Sequence, residues 1–499
     1  MEATTPLPLE IWAQTPAAAQ ALILTQQAQL LALQAQLATV QEQFEQELGH
    51  LRARVQALEA QLGQNSTNSS RPPSSDPPQA PARPSSGPAA RRPGGQPGHE
   101  AHRRPLLPIE AVDHLVEYWP SGCARCGQPL AADPALEATG PARYQVTELP
   151  RRHAEVTEHR VHRLRCPRCG STSAAVAPPE VAGGAFGPRL QATVALLSGR
   201  YRLSRREVAD LCGELLGAPL AVGSVDHLCQ ATSAALAEPV AQLERAVQDA
   251  AVANADETGW KRAGQRGWLW VVVTAIATVF TIARSRGSPV VKNLLGERFP
   301  GYLGSDRWSA YSWVPPERRQ LCWAHVRRDF QALVDYGGAA VMVGKLGLVL
   351  SDRLFAAWHQ GRDDPAARVR FAQEIGPLQA EFHTLLEVGA QNPVDKAAGL
   401  CRQLLKLWPA LWTFATVPGV EPTNNVAERA LRPAVLWRKG CFGSQSPEGE
   451  RFVARMLSVA ATCRQQGRSL LEYLTVACTA AQHGAAIPSL LPAPTAQTG

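Results

Sequence analysis

Two aspartates stand directly after short segments with the pattern of β-strands. Asp256 lies in the run ADETGW after the predicted strand 251–255, and Asp306 lies in the run SDRWSAY after the predicted strand 301–305. Adjacent strands can aim such side chains at one ion, and neighbouring carboxylates suit Mg²⁺, which retains several of its waters. The sequence therefore favours a divalent-cation site at the ends of these strands.

A third carboxylate lies at the start of a predicted helix. Thr423, Asn424 or Asn425 can cap this helix, and Glu428 falls in its first turn. A chain with 43 acidic residues offers many triplets of this kind, so spacing alone does not single out this trio. Basic residues follow closely and either clamp phosphate groups or form an exposed charged face. They are Arg429, Arg432, Arg438 and Lys439.

Four cysteines form two C-x-x-C pairs. They are Cys123, Cys126, Cys166 and Cys169, in the pattern C-x2-C-x39-C-x2-C. Gly127 and Gly170 follow the pairs, as the tight turns around a bound metal favour, and four thiolates suit a closed tetrahedral Zn²⁺ site. Strand character at 143–148 and 155–164 predicts a long hairpin that this structural zinc holds together.

The length and charge of the chain describe the protein around these residues. A chain of 499 residues is long enough for several domains. Lys and Arg total 50 and Asp and Glu total 43, and the resulting net charge of +7 is compatible with an anionic partner without identifying one. The strongest apolar run, 268–283, is too short to span a bilayer and fits two buried strands. With no secretory leader in sight, we expect a cytoplasmic protein.

Apolar residues repeat with alternating spacings of three and four from Leu30 to Phe44, and again from Leu48 to Leu62. This repeat is the seam of a coiled coil, with one stutter between its two stretches. The alternative is a single amphipathic helix packed on its own chain. Because a seam of this length needs a partner helix, residues 1–62 are predicted to form a homo-oligomer.

Two further segments follow the predicted coiled coil. Residues 63–108 are rich in Pro and Arg and have the composition of a linker. Residues 181–245 predict three helices, with Ser204 as an N-cap and a glycine-bearing turn before the last helix. This pattern resembles a helix-turn-helix that exposes Arg205 and Arg206 to DNA, although plain helical packing units have the same pattern.

Several runs occur in the order found in transposases of the insertion sequence 66 family, which the chain resembles over about residues 25–480. These runs are GQNSTNSSRPPSSD, GGQPGHEAHRR, the paired C-x-x-C turns, ADETGW, SDRWSAY, CWAHVRRDF and TNNVAERALRP. The resemblance implies a DDE enzyme whose catalytic core is similar to ribonuclease H. It also implies a helical insertion between the second Asp and the Glu.

Matched motif by motif, Asp256, Asp306 and Glu428 take the places of the three catalytic carboxylates of that family. Their separations are 50 and 122 residues, and the longer interval accommodates the insertion. Cys322 and His325 match a Cys-x-x-His motif that several transposase families carry after the second Asp. These two residues are expected either to support the site or to take part in its chemistry.

The resemblance implies a transposase that binds the ends of an insertion sequence, cleaves the DNA by hydrolysis and joins the 3′ hydroxyl ends to target DNA. Two Mg²⁺ ions, or Mn²⁺ in their place, would neutralise the developing charge and activate the nucleophile. Expected partners are double-stranded DNA, further copies of the chain and small accessory proteins encoded beside it, at the nucleoid. A non-enzymatic zinc-containing DNA-binding regulator is the alternative, and a nuclease without strand transfer is a third interpretation.

The predicted architecture is a multidomain α/β chain with a ribonuclease H-like core. Its predicted parts are a coiled coil at 1–62, a linker at 63–108, a zinc-binding β-hairpin domain at 109–180, a helical DNA-binding module at 181–245, the catalytic core at 246–340 and 418–450, the helical insertion at 341–417, and C-terminal helices and a tail at 451–499.

Overall fold

The structure, a computed structural model, describes residues 8–65, 67–69, 105–134, 139, 141–149, 154–177, 184–361 and 365–492. Two compact units make up the chain, one of residues 1–81, 161–208 and 222–499 and a smaller one of residues 82–160 and 209–221. Most of the predicted linker 63–108, including the segment GGQPGHEAHRR, lies outside the described residues.

The N-terminal region is helical, as the apolar repeat predicts. A short helix α1 (Leu9–Gln14) precedes α2 (Ala17–Leu62), which is continuous over 46 residues and therefore about 69 Å long at 1.5 Å per residue. Seam residues such as Leu33 and Phe44 are exposed to 64% and 65%. A single helix of a coiled coil exposes its apolar seam in this way when its partner helix is absent. Self-association through α2 stays a prediction.

Both cysteine pairs form tight turns. Gly127 donates its N–H to the Cys123 carbonyl oxygen at 2.9 Å, and Gly170 does the same to Cys166 at 2.9 Å. Each glycine has a φ in the left-handed region, at 74° and 72°, which explains why glycine stands there. The second turn joins two short antiparallel strands, β1 (Arg163–Arg165) and β2 (Thr172–Ala174).

The long hairpin predicted from 143–148 and 155–164 is wrong in its extent. No strand forms in residues 143–148, and of 155–164 only the last two residues belong to β1. Tyr144, Val146 and Val156 are each at least 88% exposed, so the apolar alternation that predicts strands has no packed layer beneath it. Alternating side chains alone do not make a sheet without a surface to cover.

The predicted helical module forms four helices. They are α3 (Pro188–Gly199), α4 (Arg205–Leu216), α5 (Val222–Ala235) and α6 (Ala237–Gln248). Ser204 caps α4 as predicted, since its Oγ accepts the N–H of Glu207 at 3.2 Å while the Glu207 carboxylate accepts the N–H of Ser204 at 2.7 Å. This reciprocal pair is a capping box. Gly217 follows α4 with a φ of 61°.

A five-stranded mixed sheet follows the helical module. Its strands are β3 (Val252–Arg262), β4 (Gln265–Val273), β5 (Thr278–Ala283), β6 (Tyr302–Ser305) and β7 (Arg319–Leu321). The order is β5-β4-β3-β6-β7. The pairs β5–β4 and β4–β3 are antiparallel, and the pairs β3–β6 and β6–β7 are parallel. The apolar run 268–283 forms the predicted hairpin of two buried strands.

Helices cover the sheet and fill the long interval before Glu428. The helix α7 (Ser288–Leu295) follows β5, and α8 (Trp323–Tyr336) follows β7. The predicted insertion is helical: α9 (Ala340–Gly361), α10 (Pro365–Gly389), α11 (Asp395–Lys406) and α12 (Trp408–Thr416). Its core is aromatic, with the Trp323 ring centroid 5.1 Å from Phe382 and 5.2 Å from Trp412.

Three helices complete the described chain: α13 (Asn425–Cys441), α14 (Pro447–Gln465) and α15 (Leu470–Gln482). On the edge strand β5, Phe280 donates its N–H to Ser458 Oγ at 2.8 Å, and Thr278 donates its N–H to Thr462 Oγ1 at 3.1 Å. Side chains of α14 thus accept hydrogen bonds from N–H groups of the edge strand β5 that would otherwise be free. The helix α14 begins at Pro447 and therefore crosses the predicted core boundary at 450.

The mixed α/β class predicted from the sequence is confirmed by this sheet and its helices. The subdomain assignments around it remain predictions. Among the described residues, no helix is both long enough and apolar enough to cross a membrane.

Candidate active site

Strand register places the two predicted aspartates side by side. The parallel pairing of β3 with β6 ends at Asn254 opposite Gly304, and Asp256 and Asp306 each stand two residues further along their strands. Contrary to the sequence prediction, Asp256 does not follow the end of a strand, because β3 continues antiparallel to β4 as far as Arg262. The site therefore opens where β6 stops and β3 goes on.

Burial and mutual repulsion both act on these carboxylates. Burial, followed by the negative charges of Glu257, Asp306 and Glu428, holds the pKa of Asp256 well above its ordinary value. Burial also raises the pKa of Asp306, although the Trp308 N–H and nearby arginines oppose this effect. Asp306 Oδ1 accepts the Trp308 N–H at 2.9 Å. The N–H of Glu257 donates to Asp256 Oδ1 at 2.9 Å and lowers the pKa of Asp256, but this contact does not offset burial and repulsion.

Asn424 connects the helix that carries Glu428 to strand β3. It occupies the N-cap position of α13, as the sequence allows, and its carbonyl oxygen accepts the Glu428 N–H at 3.3 Å. Its side-chain Nδ2 donates to the Ala255 carbonyl oxygen at 3.3 Å, one residue before Asp256. The buried Asn424 Oδ1 has no hydrogen-bond partner. Asn424 therefore fixes the third carboxylate near the first and presents an unsatisfied acceptor there.

Cys322, His325 and Glu428 form a close group of potential ligands. Their ligand atoms all lie within 4.8 Å of one another, and this is the one such group of three found in the described part of the chain. His325 Nδ1 is buried without a hydrogen-bond partner and lies 3.7 Å from Glu428 Oε1. Burial, and then Arg328 and Arg307, lower the pKa of His325 to about 3. Burial raises the pKa of the Cys322 thiol to about 12.

A second buried carboxylate lies beside Asp256 and was not singled out from the sequence. The Glu257 side chain is 1% exposed, receives a hydrogen bond from the Tyr311 hydroxyl at 2.5 Å and lies 2.8 Å from the Arg286 guanidinium. Arg286 in turn lies over the rings of Trp268 and Trp308, 4.6 and 4.0 Å from their centroids. The motifs ADETGW and SDRWSAY contain Glu257 and Tyr311, but alternation along a strand does not reveal a partner distant in sequence.

The segment that carries Asp306 is also tied to the helices beyond it. Arg307 forms an ion pair with Asp329 of α8 at 2.6 Å and donates a hydrogen bond to Gln403 of α11. Arg328, one residue before Asp329, lies 3.4 Å from Glu428. Cationic side chains thus lie around the carboxylates. Neither of these two ion pairs includes Asp256 or Asp306.

The predicted DNA-contacting residues divide into two groups. Arg205 is not freely exposed as predicted, because it pairs with Asp226 at 3.1 Å, donates to Ser198 and lies 5.0 Å from the Phe452 ring centroid. Arg438 is engaged too, since it donates to the Gly259 carbonyl oxygen and to Thr258. The exposed residues of the set are Arg206, Arg429, Arg432 and Lys439.

The residues present fit a divalent cation. Asp256, Asp306 and Glu428 are hard oxygen donors, and the charges of Asp306 and Glu428 raise the pKa of Asp256, although the ligand atoms of the three do not all lie within 4.8 Å of one another. The helix N-cap Asn424 adds an unsatisfied amide oxygen next to the start of the helix that carries Glu428. A cation would relieve the repulsion that burial strengthens. Cys322 and His325 offer softer donors against the same Glu428, although a thiol with so high a pKa stays protonated unless a metal displaces its proton.

A model of a protein family described as the IS66 transposase family matches residues 183–451, which is more than half of the chain. The chain belongs to the IS66 transposase family. The matched residues include Asp256, Asp306, Glu428, Cys322 and His325. A model of a family of unknown function matches residues 13–105, which include helix α2.

Two relatives of the chain come from Sinorhizobium fredii, and both are named as uncharacterized proteins. The protein y4qI is 26% identical over 243 residues, which are 44% of this chain and 44% of that protein. The protein y4hP is 26% identical over 382 residues, or 69% of this chain and 68% of that protein. The chain therefore spans less than half the length of the first relative, and its activity has to be argued from its own site.

Proposed function

We propose that this chain is a DDE-type DNA transposase, with Asp256, Asp306 and Glu428 as its catalytic carboxylates. The observation that carries the proposal is the parallel register of β3 and β6, which sets Asp256 beside Asp306, together with the effect of the Glu428 charge on Asp256. A DNA-binding regulator needs no such concentration of buried negative charge. Family membership supports the same assignment.

The three carboxylates would hold divalent cations, with Mg²⁺ as the expected metal and Mn²⁺ as its substitute. Such a cation supplies neutralising charge at the phosphodiester and lowers the pKa of a bound water. Asp256 is central because both other carboxylates lie near enough to raise its pKa. We assign Cys322 and His325 a supporting role, since the neutral His325 ring lies against Glu428 and limits where that carboxylate can point.

The reaction has two phosphoryl-transfer steps. In the first, a water oxygen bonds to phosphorus at the element's end, the P–O3′ bond breaks, and the leaving oxygen takes up a proton as a free 3′ hydroxyl. In the second, that hydroxyl loses its proton and bonds to a phosphorus of the target DNA, while a target P–O3′ bond breaks. The exposed residues Arg206, Arg429, Arg432 and Lys439 are suited to hold phosphates during both steps.

Other modules of the chain would serve assembly and DNA binding. We propose that the four cysteines 123, 126, 166 and 169 hold a structural Zn²⁺, because each pair already forms the left-handed glycine turn that such sites favour. We also propose that α2 joins copies of the chain through its exposed seam. Double-stranded DNA is the substrate, and neighbouring accessory proteins are further expected partners.

The test is a strand-transfer assay with labelled element ends, supercoiled target DNA and Mg²⁺. The variant is Asp306→Asn, which keeps the side-chain shape and removes the charge. The matched control is Asp352→Asn, because Asp352 is an exposed aspartate of α9 that pairs with Arg327 at 2.8 Å. We expect joining to fall at least about a thousandfold in Asp306→Asn and to stay unchanged in the control. Normal joining by Asp306→Asn would refute the assignment.

A further inference from the structure

A cleft lined by five arginines lies between the end of α3 and helices α13 and α14. Its volume is about 550 Å³. The arginines are Arg200, Arg202, Arg429, Arg432 and Arg464. The floor includes apolar side chains such as Phe280 and Leu457, and none of the described residues that line the cleft is an aspartate or glutamate. The cleft therefore concentrates positive charge with no acidic side chain in its walls.

These arginines differ from others nearby in having no partner. In the part of the chain that the structure describes, no hydrogen bond or ion pair engages any of the five guanidinium groups, whereas Arg328 pairs with Glu428 and Arg438 donates to β3. Arg202 also has a φ of 66°, a left-handed conformation that is unfavourable for a non-glycine residue. Repulsion among like charges in a cleft is relieved when an anion binds.

We propose that this arginine cleft binds the phosphate backbone of the DNA duplex that enters the active site, an inference that rests on the proposed transposase function. Arg429 directly follows Glu428, and Arg432 lies three residues, or about 4.5 Å, further along α13. One wall of the cleft is therefore formed by the same helix that carries the third carboxylate. Guanidinium groups bind phosphate in a bidentate manner, and contacts of this kind do not depend on base sequence.

Three of the five arginines are not among the DNA-contacting residues predicted from the sequence. Arg429 and Arg432 stand in the motif of Glu428, whereas Arg200 and Arg202 follow α3 and Arg464 ends α14. Residues from three separate elements therefore converge on one cleft. That convergence makes a bound polyanion a better explanation than a solvated helix face, which would place its charges on one element only.

The experiment measures the fluorescence anisotropy of labelled 30-base-pair duplexes, of two unrelated sequences, with the full-length protein. The cleft variant is Arg200→Gln with Arg464→Gln. The control is Arg245→Gln with Arg353→Gln, which removes the same charge from exposed arginines paired with Glu238 and Glu381. We expect the cleft variant to bind both duplexes at least about tenfold more weakly than the control. Its slope of log affinity against log salt should also fall by about two, since each lost phosphate contact removes about 0.9.

A second variant, Arg432→Gln with Arg464→Gln, changes two exposed side chains and so leaves folding intact. Circular dichroism confirms the fold of each protein. Affinity and salt slope equal to those of the control in both cleft variants would overturn the proposal. Strand transfer by the wild type is measured in parallel. If the wild type joins no DNA while the cleft variants lose duplex binding, the catalytic proposal fails and the DNA-binding cleft is supported.

Discussion

Asp256 and Asp306 each stand two residues beyond Asn254 and Gly304, the last pair of the parallel strands β3 and β6, with Asp256 still inside β3 and Asp306 directly after β6. A Cβ at position 304 would overlap the Asn254 side chain, so glycine there permits the close approach of the two strands. The carboxylates follow where this tight pairing ends. Their proximity is therefore a property of backbone register.

We predict that Asp256→Asn stabilises the metal-free protein at neutral pH. The pKa of Asp256 is raised in the folded state, so the folded protein binds a proton more tightly than the unfolded chain does. Stability is then lost as pH rises from the ordinary carboxyl pKa of about 4 through the raised value, by about 1.4 kcal/mol for each unit of elevation. The asparagine variant should show a higher melting temperature in EDTA and a weaker pH dependence.

The control for this prediction is Asp352→Asn, which removes an exposed carboxylate. Added Mg²⁺ should raise the melting temperature of the wild type and of Asp352→Asn more than that of Asp256→Asn. An Asp256→Asn protein that melts below the wild type in EDTA would contradict the idea that repulsion dominates at this position.

We predict that His325 contributes to acid sensitivity. Burial lowers its pKa to about 3, so below pH 6.5 the unfolded chain takes up a proton that the folded chain refuses, and stability falls as pH falls. Chemical unfolding of the metal-free protein between pH 7 and pH 5 should therefore show a smaller loss of stability in His325→Gln than in the wild type. The exposed His383 supplies the control, His383→Gln. Equal pH slopes in both variants would refute the prediction.

We predict that Glu257, Tyr311 and Arg286 stabilise the fold as a coupled unit. Glu257→Ala leaves the Arg286 guanidinium without its buried partner and should destabilise the protein by about 3 kcal/mol. Tyr311→Phe removes one hydrogen bond to the same carboxylate and should cost about 1 to 2 kcal/mol. Urea unfolding of both single variants and the double variant gives the coupling energy. Strictly additive effects would mean that the Tyr311 hydroxyl does not act through Glu257.

We predict that the cysteine turns bind zinc. Protein purified under reducing conditions should contain about one Zn²⁺ per chain, and Cys166→Ser with Cys169→Ser should lose it, because two thiolates cannot retain a structural ion tightly. Cys229→Ser, a change at a buried helical cysteine, is the control and should keep the metal. Metal analysis by mass spectrometry decides the matter, and a wild type with far less than one zinc per chain would exclude the site.

The sequence predicts the strand position of Asp306 better than that of Asp256. Asp306 is predicted to follow a strand and does so, since β6 ends at Ser305. Asp256 is predicted to follow a strand but lies inside one. The prediction is wrong because the polar run after Ala255 gives no sign of the antiparallel pairing with β4. Local patterns specify where a strand can begin, but its end depends on the partner strand.

Contacts between distant residues explain most of what the sequence did not reveal. Arg205 looked like an exposed helix-start arginine, yet Asp226 and Phe452 engage it from two other helices. Glu257 lay within a quoted motif, but only the fold brings Arg286 and Tyr311 to it. The strand predicted at 143–148 does not form, because a contact that it needs is missing: no apolar surface covers Tyr144 or Val146.

The most direct test of the catalytic site replaces an oxygen ligand with sulfur. In Asp306→Cys, joining of pre-cleaved element ends should be lost in Mg²⁺, which rejects thiolate, and partly restored in Mn²⁺, which accepts softer ligands. Asp352→Cys should join normally with either metal. Rescue by Mn²⁺ confined to Asp306→Cys would identify Asp306 as a metal ligand of the joining reaction. Normal joining by Asp306→Cys in Mg²⁺ would contradict the assignment.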